Sequence, residues 1–146
     1  MTSESINSND FFAVKLVEHV RTSLSNNGLK FSTISTDEVQ VLMFSGTKFE
    51  ITIRIFFGDT YLTFQGTLPV TISTAALPDL LIYLNSLNVT VPIGNYEIHP
   101  GFRLVAFKVG ICVPPEPTVD QLSNVVSLVF QSLELISSEV LKFGAK

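Results

Sequence analysis

The sequence contains no tryptophan, a single cysteine (Cys112) and few charged residues, which make up 15% of its 146 positions. One cysteine cannot form a disulfide within the chain and is typical of a reducing compartment, so a cytoplasmic protein is expected. The 9 basic residues form no cluster, and the formal net charge is -4. This balance argues against a nucleic-acid partner, because phosphate backbones are bound through grouped lysines and arginines.

Long hydrophobic runs are also missing, although the mean hydropathy is +0.41. The longest uncharged runs, residues 60–78 and 80–96, are interrupted by prolines, glycines and asparagines. A membrane-spanning helix needs about 20 predominantly apolar residues, so neither run predicts a membrane protein. Residues 1–9 are polar, lack the pattern of a signal peptide and are predicted to be a disordered N-terminal tail.

Hydrophobic periodicity predicts a single α+β domain over residues 10–146, with an antiparallel sheet and helices. Three helices are predicted, over residues 10–25, over residues 77–87, and from the capping pair Thr118 and Gln121 to about Phe143. Strands are predicted at residues 29–34, 39–45, 49–57, 60–68, 96–98 and 102–113. The order is therefore a helix, three or four strands, a helix, two strands and a helix.

The clearest strand signal is the apolar-polar alternation of residues 49–57, followed by Gly58 and Asp59 and a second alternating segment. A two-residue loop there specifies the cross-strand pairs of a hairpin. The pairs are Ile55 with Leu62, Ile53 with Phe64, Phe49 with Leu68, Phe56 with Tyr61, Arg54 with Thr63 and Thr52 with Gln65. The apolar set is expected to be buried and the polar set to face outward.

A second hairpin is predicted around the turn that begins at His99. A three-residue loop would pair Ile98 with Phe102 and place Glu97 opposite Arg103, an attractive charge pair across the strands. The apolar positions further along residues 102–113 then change phase. A bulge, or a strand buried on both faces, would explain that change.

The element order and one local pattern resemble the YbjN-like family, whose fold is similar to that of type III secretion chaperones. The pattern is a short helix ending in Leu84-Asn85-Ser86-Leu87-Asn88, then Gly94-Asn95-Tyr96-Glu97-Ile98, a Pro-Gly turn and a long apolar strand. The resemblance covers nearly the whole chain from Asp10. It implies the order α-β-β-β-α-β-β-α, frequent dimerisation, protein partners and no enzyme activity. The low charge of the last two-thirds of this chain departs from the family.

No residue pattern predicts catalysis, a metal site or a cofactor. His19 and His99 have no second histidine or cysteine at ligand spacing; His19 is expected at a helix boundary and His99 in solvent. Cys112 is expected to be a buried strand residue without a base beside it. The carboxylates are scattered, with Glu134 and Glu139 on the polar side of the last helix. Residues 45–48 lack the first glycine of a phosphate-binding loop and predict a hairpin turn.

Two groups of residues are candidates for protein binding. Leu128 and Leu135 lie off the main apolar stripe of the last helix, where they contact either a partner or another part of the chain. Phe56 and Tyr61 are an aromatic pair on the polar face of the first hairpin, where they serve either a partner or the hairpin itself.

The sequence therefore favours a non-catalytic, chaperone-like or adaptor domain that binds another protein and forms a homodimer, because its apolar surplus exceeds what one core needs. An internal monomeric core is the alternative for that surplus. The alternative function is a small-ligand-sensing regulatory domain with an apolar cavity, for which Arg103 and Lys108 are the inward polar candidates. An enzyme ranks last.

Overall fold

A computed structural model describes residue 22 and residues 32–35, 39–57, 60–112 and 117–144. The predicted tail (1–9) and the predicted first helix (10–25) lie outside this part, except that Thr22 is helical. The described strands are β1 (Ser32–Ser35), β2 (Val39–Ser45), β3 (Glu50–Phe57), β4 (Tyr61–Thr71), β5 (Asn95–Ile98) and β6 (Leu104–Cys112). The described helices are a 3₁₀ turn (Thr74–Ala76), α1 (Leu77–Asn88) and α2 (Val119–Leu141).

The strands form one antiparallel sheet in the order β1-β2-β3-β4-β6-β5. The predicted α+β class is confirmed, and four strands precede α1, the larger of the two predicted numbers. The strand β4 carries a register irregularity between Thr67 and Thr71, around the exposed Pro69. Proline has no N–H to donate to a neighbouring strand, so it is tolerated where the pairing is irregular and not within a regular ladder.

The β3–β4 hairpin confirms the predicted faces and corrects the predicted register. The residues predicted to face the core are all buried, and they are Ile51, Ile53, Ile55, Leu62 and Phe64. The observed register pairs Ile55 with Phe64, and the innermost pair is Phe57 with Leu62, so the connection is longer than two residues. The register differs from the prediction by two residues, and an even shift leaves every side chain on its predicted face.

The β5–β6 pairing differs from the prediction in a more consequential way. Ile98 pairs with Val105 and Glu97 with Ala106, so the predicted contact of Glu97 with Arg103 is wrong. The turn is longer: the His99 N–H donates to the Leu104 carbonyl over 2.8 Å, and Arg103 has a φ of 53°. The odd shift puts the apolar residues of β6 in phase with Tyr96, so β6 needs no bulge at the predicted phase change.

Helix α2 packs across β3, β4 and β6 on one face of the sheet, called here the core face. Gly66 in β4 makes this close approach possible, because a Cβ there would lie 2.5 Å from Val129 Cγ1 and 2.6 Å from Leu133 Cδ1. The N-terminal cap predicted for α2 is confirmed by Thr118 Oγ1, which accepts from the Gln121 N–H over 3.1 Å. The fully or nearly buried apolar residues of α2 are Leu122, Val126, Val129, Leu133, Ile136 and Val140, and Ser137 is buried as well.

The same helix has the length and composition of a membrane span, with a mean hydropathy of 1.2 over an 18-residue window within residues 120–141. Its buried face lies on the sheet, which is the arrangement of a core helix in a globular domain. At its C-terminal end α2 is connected to α1 through Tyr83, whose ring stacks on Phe143 at a centroid distance of 6.4 Å.

Candidate protein-binding surfaces

The face of the sheet opposite α2, called here the outer face, carries polar and aromatic side chains. Two of its charged groups, Arg54 and Glu97, are bonded within the sheet: Arg54 donates to Thr67 Oγ1 over 3.4 Å, and Gln65 donates to Glu97 Oε1 over 3.1 Å. Neighbouring strands are about 4.8 Å apart, so the side chains of Arg54, Gln65 and Glu97 reach their partners by lying along the sheet surface. In that position they cover smaller residues of the same face. Thr67 and Ala106 are buried although they belong to this face.

A groove of about 300 Å³ lies on the outer face and is lined by Phe56, Thr63, Gln65 and Lys108. Thr63 pairs with Gly110 of β6, which is exposed and has no side chain to fill the space. No atom of the described residues lies within 4 Å of where a Gly110 Cβ would be. This depression, named the Gly110 groove, therefore lies next to a strand position that has no side chain, and it has the aromatic ring of Phe56 and the cation of Lys108 in its lining.

The predicted aromatic pair is found on the outer face but not in direct register. Phe56 is 37% exposed and pairs with Thr63, whereas Tyr61 is 58% exposed and pairs with Cys112. The prediction that Phe56 lies opposite Tyr61 is therefore wrong, because the connection between β3 and β4 is longer than two residues and shifts their register by two. Cys112, predicted to be buried, is exposed because the even-numbered positions near the end of β6 face outward.

The two leucines predicted as contacts on the last helix have different environments. Leu135 is 78% exposed, but Leu128 is half-buried and packs against the core. Val125 and Phe130 pack against the core in the same way, so the buried face of α2 is wider than its periodic stripe. A helix that lies on a twisted sheet buries more than a narrow stripe, and this places Leu128 inside the fold.

The outer side of α1 was not predicted as a binding surface. Leu81, Ile82 and Val89 are exposed there, the last two by 69% and 86%, and Ile93 in the following loop is exposed as well. No charged residue occurs between Leu80 and Tyr96. The uncharged run is the feature of the sequence that could have predicted this surface. A 12-residue helix at the edge of a sheet cannot bury all the apolar residues that this run contains.

The edge strand β5 is protected by the side chain of Asn88 at the end of α1. Asn88 Oδ1 accepts from the Tyr96 N–H over 2.7 Å, and Asn88 Nδ2 donates to the Tyr96 carbonyl over 2.9 Å. These bonds replace those that another strand would make, and an occupied edge resists pairing with a further chain. Gly94, with a φ of 80°, allows the close approach to β6, where a Cβ would lie 2.8 Å from the Lys108 carbonyl oxygen.

No protein-family model and no curated protein sequence matches this chain. Among solved structures it is similar to YbjN, a proposed transcription regulator from E. coli, with a TM-score of 0.64 and 12% sequence identity. The alignment covers 89% of this chain and 96% of YbjN. The chain has a YbjN-like fold. At this identity the likeness extends to the fold alone.

Within this YbjN-like fold, the Asn-to-aromatic pattern of the sequence has a physical explanation. Asn88 must end α1 beside Tyr96 because one amide side chain satisfies both backbone groups of that residue. Tyr96 in turn is buried, and its hydroxyl donates to the Ser132 carbonyl of α2 over 2.7 Å. The pattern that suggested the family is therefore a connection between α1, β5 and α2.

Burial raises the pKa of the Tyr96 phenol above its ordinary value of 10.0. The folded protein thus favours the neutral phenol, and its contribution to stability is complete below pH 10.0 and is lost as the pH rises through the folded pKa. We expect Tyr96→Phe to lower the free energy of unfolding by about 1 kcal/mol at neutral pH. The difference from the wild type should shrink above pH 10.0, as measured by urea unfolding. A difference that is the same at both pH values would contradict the assignment.

The histidine, arginine and lysine side chains that were considered for chemistry or ligand binding lie in a turn and on the surface of the sheet. His99, predicted to lie in solvent, is half-buried, and its Nδ1 accepts from the Gly101 N–H over 3.2 Å. Arg103 donates to Thr74 Oγ1, and Lys108 is exposed on the outer face, so neither points into an apolar cavity as the small-ligand alternative requires. Among the described residues, no group of three or more His, Cys, Asp or Glu lies together. His19 lies outside them.

The turn at residues 45–48 is a hairpin turn between β2 and β3, as predicted. The Gly46 N–H donates to the Phe49 carbonyl over 2.8 Å. Glu134, predicted on the polar side of α2, reaches this turn: its Oε1 accepts from the Thr47 N–H over 2.8 Å and from the Thr47 hydroxyl. The carboxylate therefore holds the turn to the helix.

Proposed function

We propose that this chain is a divergent YbjN-like domain that binds another protein without catalysis, in a chaperone-like or adaptor role, and acts as a homodimer. The observation that supports the proposal is the outer side of α1, where Leu81, Ile82 and Val89 are exposed and where Asp79, in the first turn, is the one charged residue of the helix. The exposed thiol of Cys112 supports a reducing, cytoplasmic setting, because such thiols oxidise readily elsewhere.

The outer side of α1 has the composition of an interface core. Charged residues are depleted at the centres of interfaces, and homodimer interfaces are more apolar than ordinary surface. Asn85 and Ser86, which are exposed beside these apolar residues, are small and uncharged, and the exposed charge of Asp79 lies in the first turn of the helix. Around a two-fold axis one such surface can meet its own copy, which is the commonest way in which a single chain buries an apolar patch.

Light scattering at micromolar concentration tests the homodimer. The wild type is expected at twice the chain mass of 16.1 kDa, and Ile82→Glu at that mass itself, because the substitution places two like charges at the two-fold contact. Ser138→Glu is the matched control, since it adds the same charge at an exposed position of α2. It should leave the dimer unchanged.

A wild-type mass near 16.1 kDa would contradict the homodimer. If Leu135→Glu dissociates the dimer and Ile82→Glu does not, the contact is on α2, where Leu135 was predicted. The proposal of no catalytic metal is tested separately by elemental analysis of the purified protein, in which stoichiometric zinc would contradict it.

A further inference from the structure

The Gly110 groove combines an apolar wall, an amide and a cation within one depression of the outer face. Phe56, Thr63, Gln65 and Lys108 line the groove, and Gly110 lies beside it, directly across from Thr63 on β6. We propose that this groove receives a large apolar side chain of an extended partner segment, with a carboxylate of that segment held by Lys108. This inference rests on the proposed protein-binding function and names the kind of segment that is bound.

The charge of the outer face indicates the acidic part of the ligand. Arg54 and Glu97 are engaged by neighbours in the sheet, through Thr67 and Gln65. Lys108 is exposed, and no ion pair within the described residues involves it. An ammonium group beside an aromatic ring at the rim of a groove attracts a carboxylate, and the attraction is strongest at low ionic strength.

The shape of the groove indicates a segment rather than a small molecule. Small-molecule sites of about 300–1,000 Å³ enclose most of their ligand. The Gly110 groove has about 300 Å³ and opens to solvent on the sheet surface. It therefore has room for one anchoring side chain, while the residues on either side of it extend over the exposed Tyr61 and Cys112. One anchor in a pocket, surrounded by weaker contacts, is the usual distribution of binding energy.

Gly110 also permits a test that leaves the fold intact. A valine at this position would project beside Thr63 and narrow the groove, and apart from residues 109–111 no described atom lies within 4 Å of its Cβ position. Valine is favoured in strands over glycine, so the variant should fold at least as well as the wild type. Loss of binding by this variant is then a loss of the groove and not of the protein.

The experiment selects binders from a displayed library of random peptides on the full-length protein, and measures the affinity of selected peptides by calorimetry. The peptides are expected to share a large apolar residue next to Asp or Glu. Gly110→Val should weaken them by about tenfold or more, as the loss of a central anchor does. Lys108→Gln should weaken them by several-fold and reduce the dependence on salt, whereas Lys48→Gln, a charge removed from the exposed β2–β3 turn, should do neither.

Peptides that bind Gly110→Val as well as the wild type would overturn the groove while leaving protein binding intact. A library that yields no binder would overturn the inference, and the light-scattering measurement then decides the homodimer by itself. Phenylacetate is the small-molecule comparison. If it displaces the peptide and binds as tightly as the whole peptide does, the site is one for small aromatic carboxylates, and the peptide assignment is overturned.

Discussion

Gly66→Val is expected to lower the free energy of unfolding by about 3 kcal/mol, the upper range for overpacking a core. A Cβ at this position would meet Val129 Cγ1 and Leu133 Cδ1 at 2.5 and 2.6 Å. Both side chains are buried, so they have no free space into which to move. The helix α2 must instead move away from the sheet, and it loses contacts along its buried face. Urea unfolding followed by circular dichroism measures the loss.

Gly110→Val is the matched control for this prediction. Gly110 also lies within a strand of the same sheet, but it is exposed on the outer face, where no described atom is near its Cβ position. Its stability should be unchanged or higher by about 0.5 kcal/mol, because a glycine inside a strand is entropically unfavourable. Equal stabilities for the two valine variants would mean that α2 does not lie as close to β4 as the structure describes.

Leu128→Glu is expected to destabilise the protein by about 2 kcal/mol, because it places a charge where the leucine packs against the core. Leu135→Glu, at a position 78% exposed on the same helix, should change the stability by no more than about 0.5 kcal/mol. Thermal unfolding of the two variants under one buffer condition compares them directly. A Leu128→Glu variant as stable as the wild type would return Leu128 to the surface and to the list of partner contacts.

The faces of the strands were predictable from sequence because side chains alternate with a period of two. Ile51, Ile53 and Ile55 are buried for the reason that their spacing implied, and any even register would have kept them so. The register itself was not predictable, because it depends on the length of each connection. A longer connection shifted β3 against β4 by two residues, and a longer turn after His99 shifted β5 against β6 by three.

The candidate site was predictable to the same extent, because the faces of its residues followed from the sequence and their contacts did not. Alternation placed Phe56 and Tyr61 on the correct face. The groove beside them, however, depends on the pairing of Thr63 in β4 with Gly110 in β6, and these two strands are distant in sequence. The exposed side of α1 was signalled by an uncharged run that could equally have been buried. Leu128 and Leu135 have the same spacing relation to the stripe of α2, and only packing against the twisted sheet distinguishes them.

The sequence by itself determined the α+β class, the antiparallel sheet, the bounds of α1 and α2 to within a few residues, and the apolar face of each strand, because these follow from local periodicity and capping. The tertiary structure decided the strand order, the two registers, the contact of Asn88 with Tyr96 and the position of the Gly110 groove. These depend on contacts between residues far apart in the chain, whose geometry is set by loop lengths and by the close approach of α2 at Gly66.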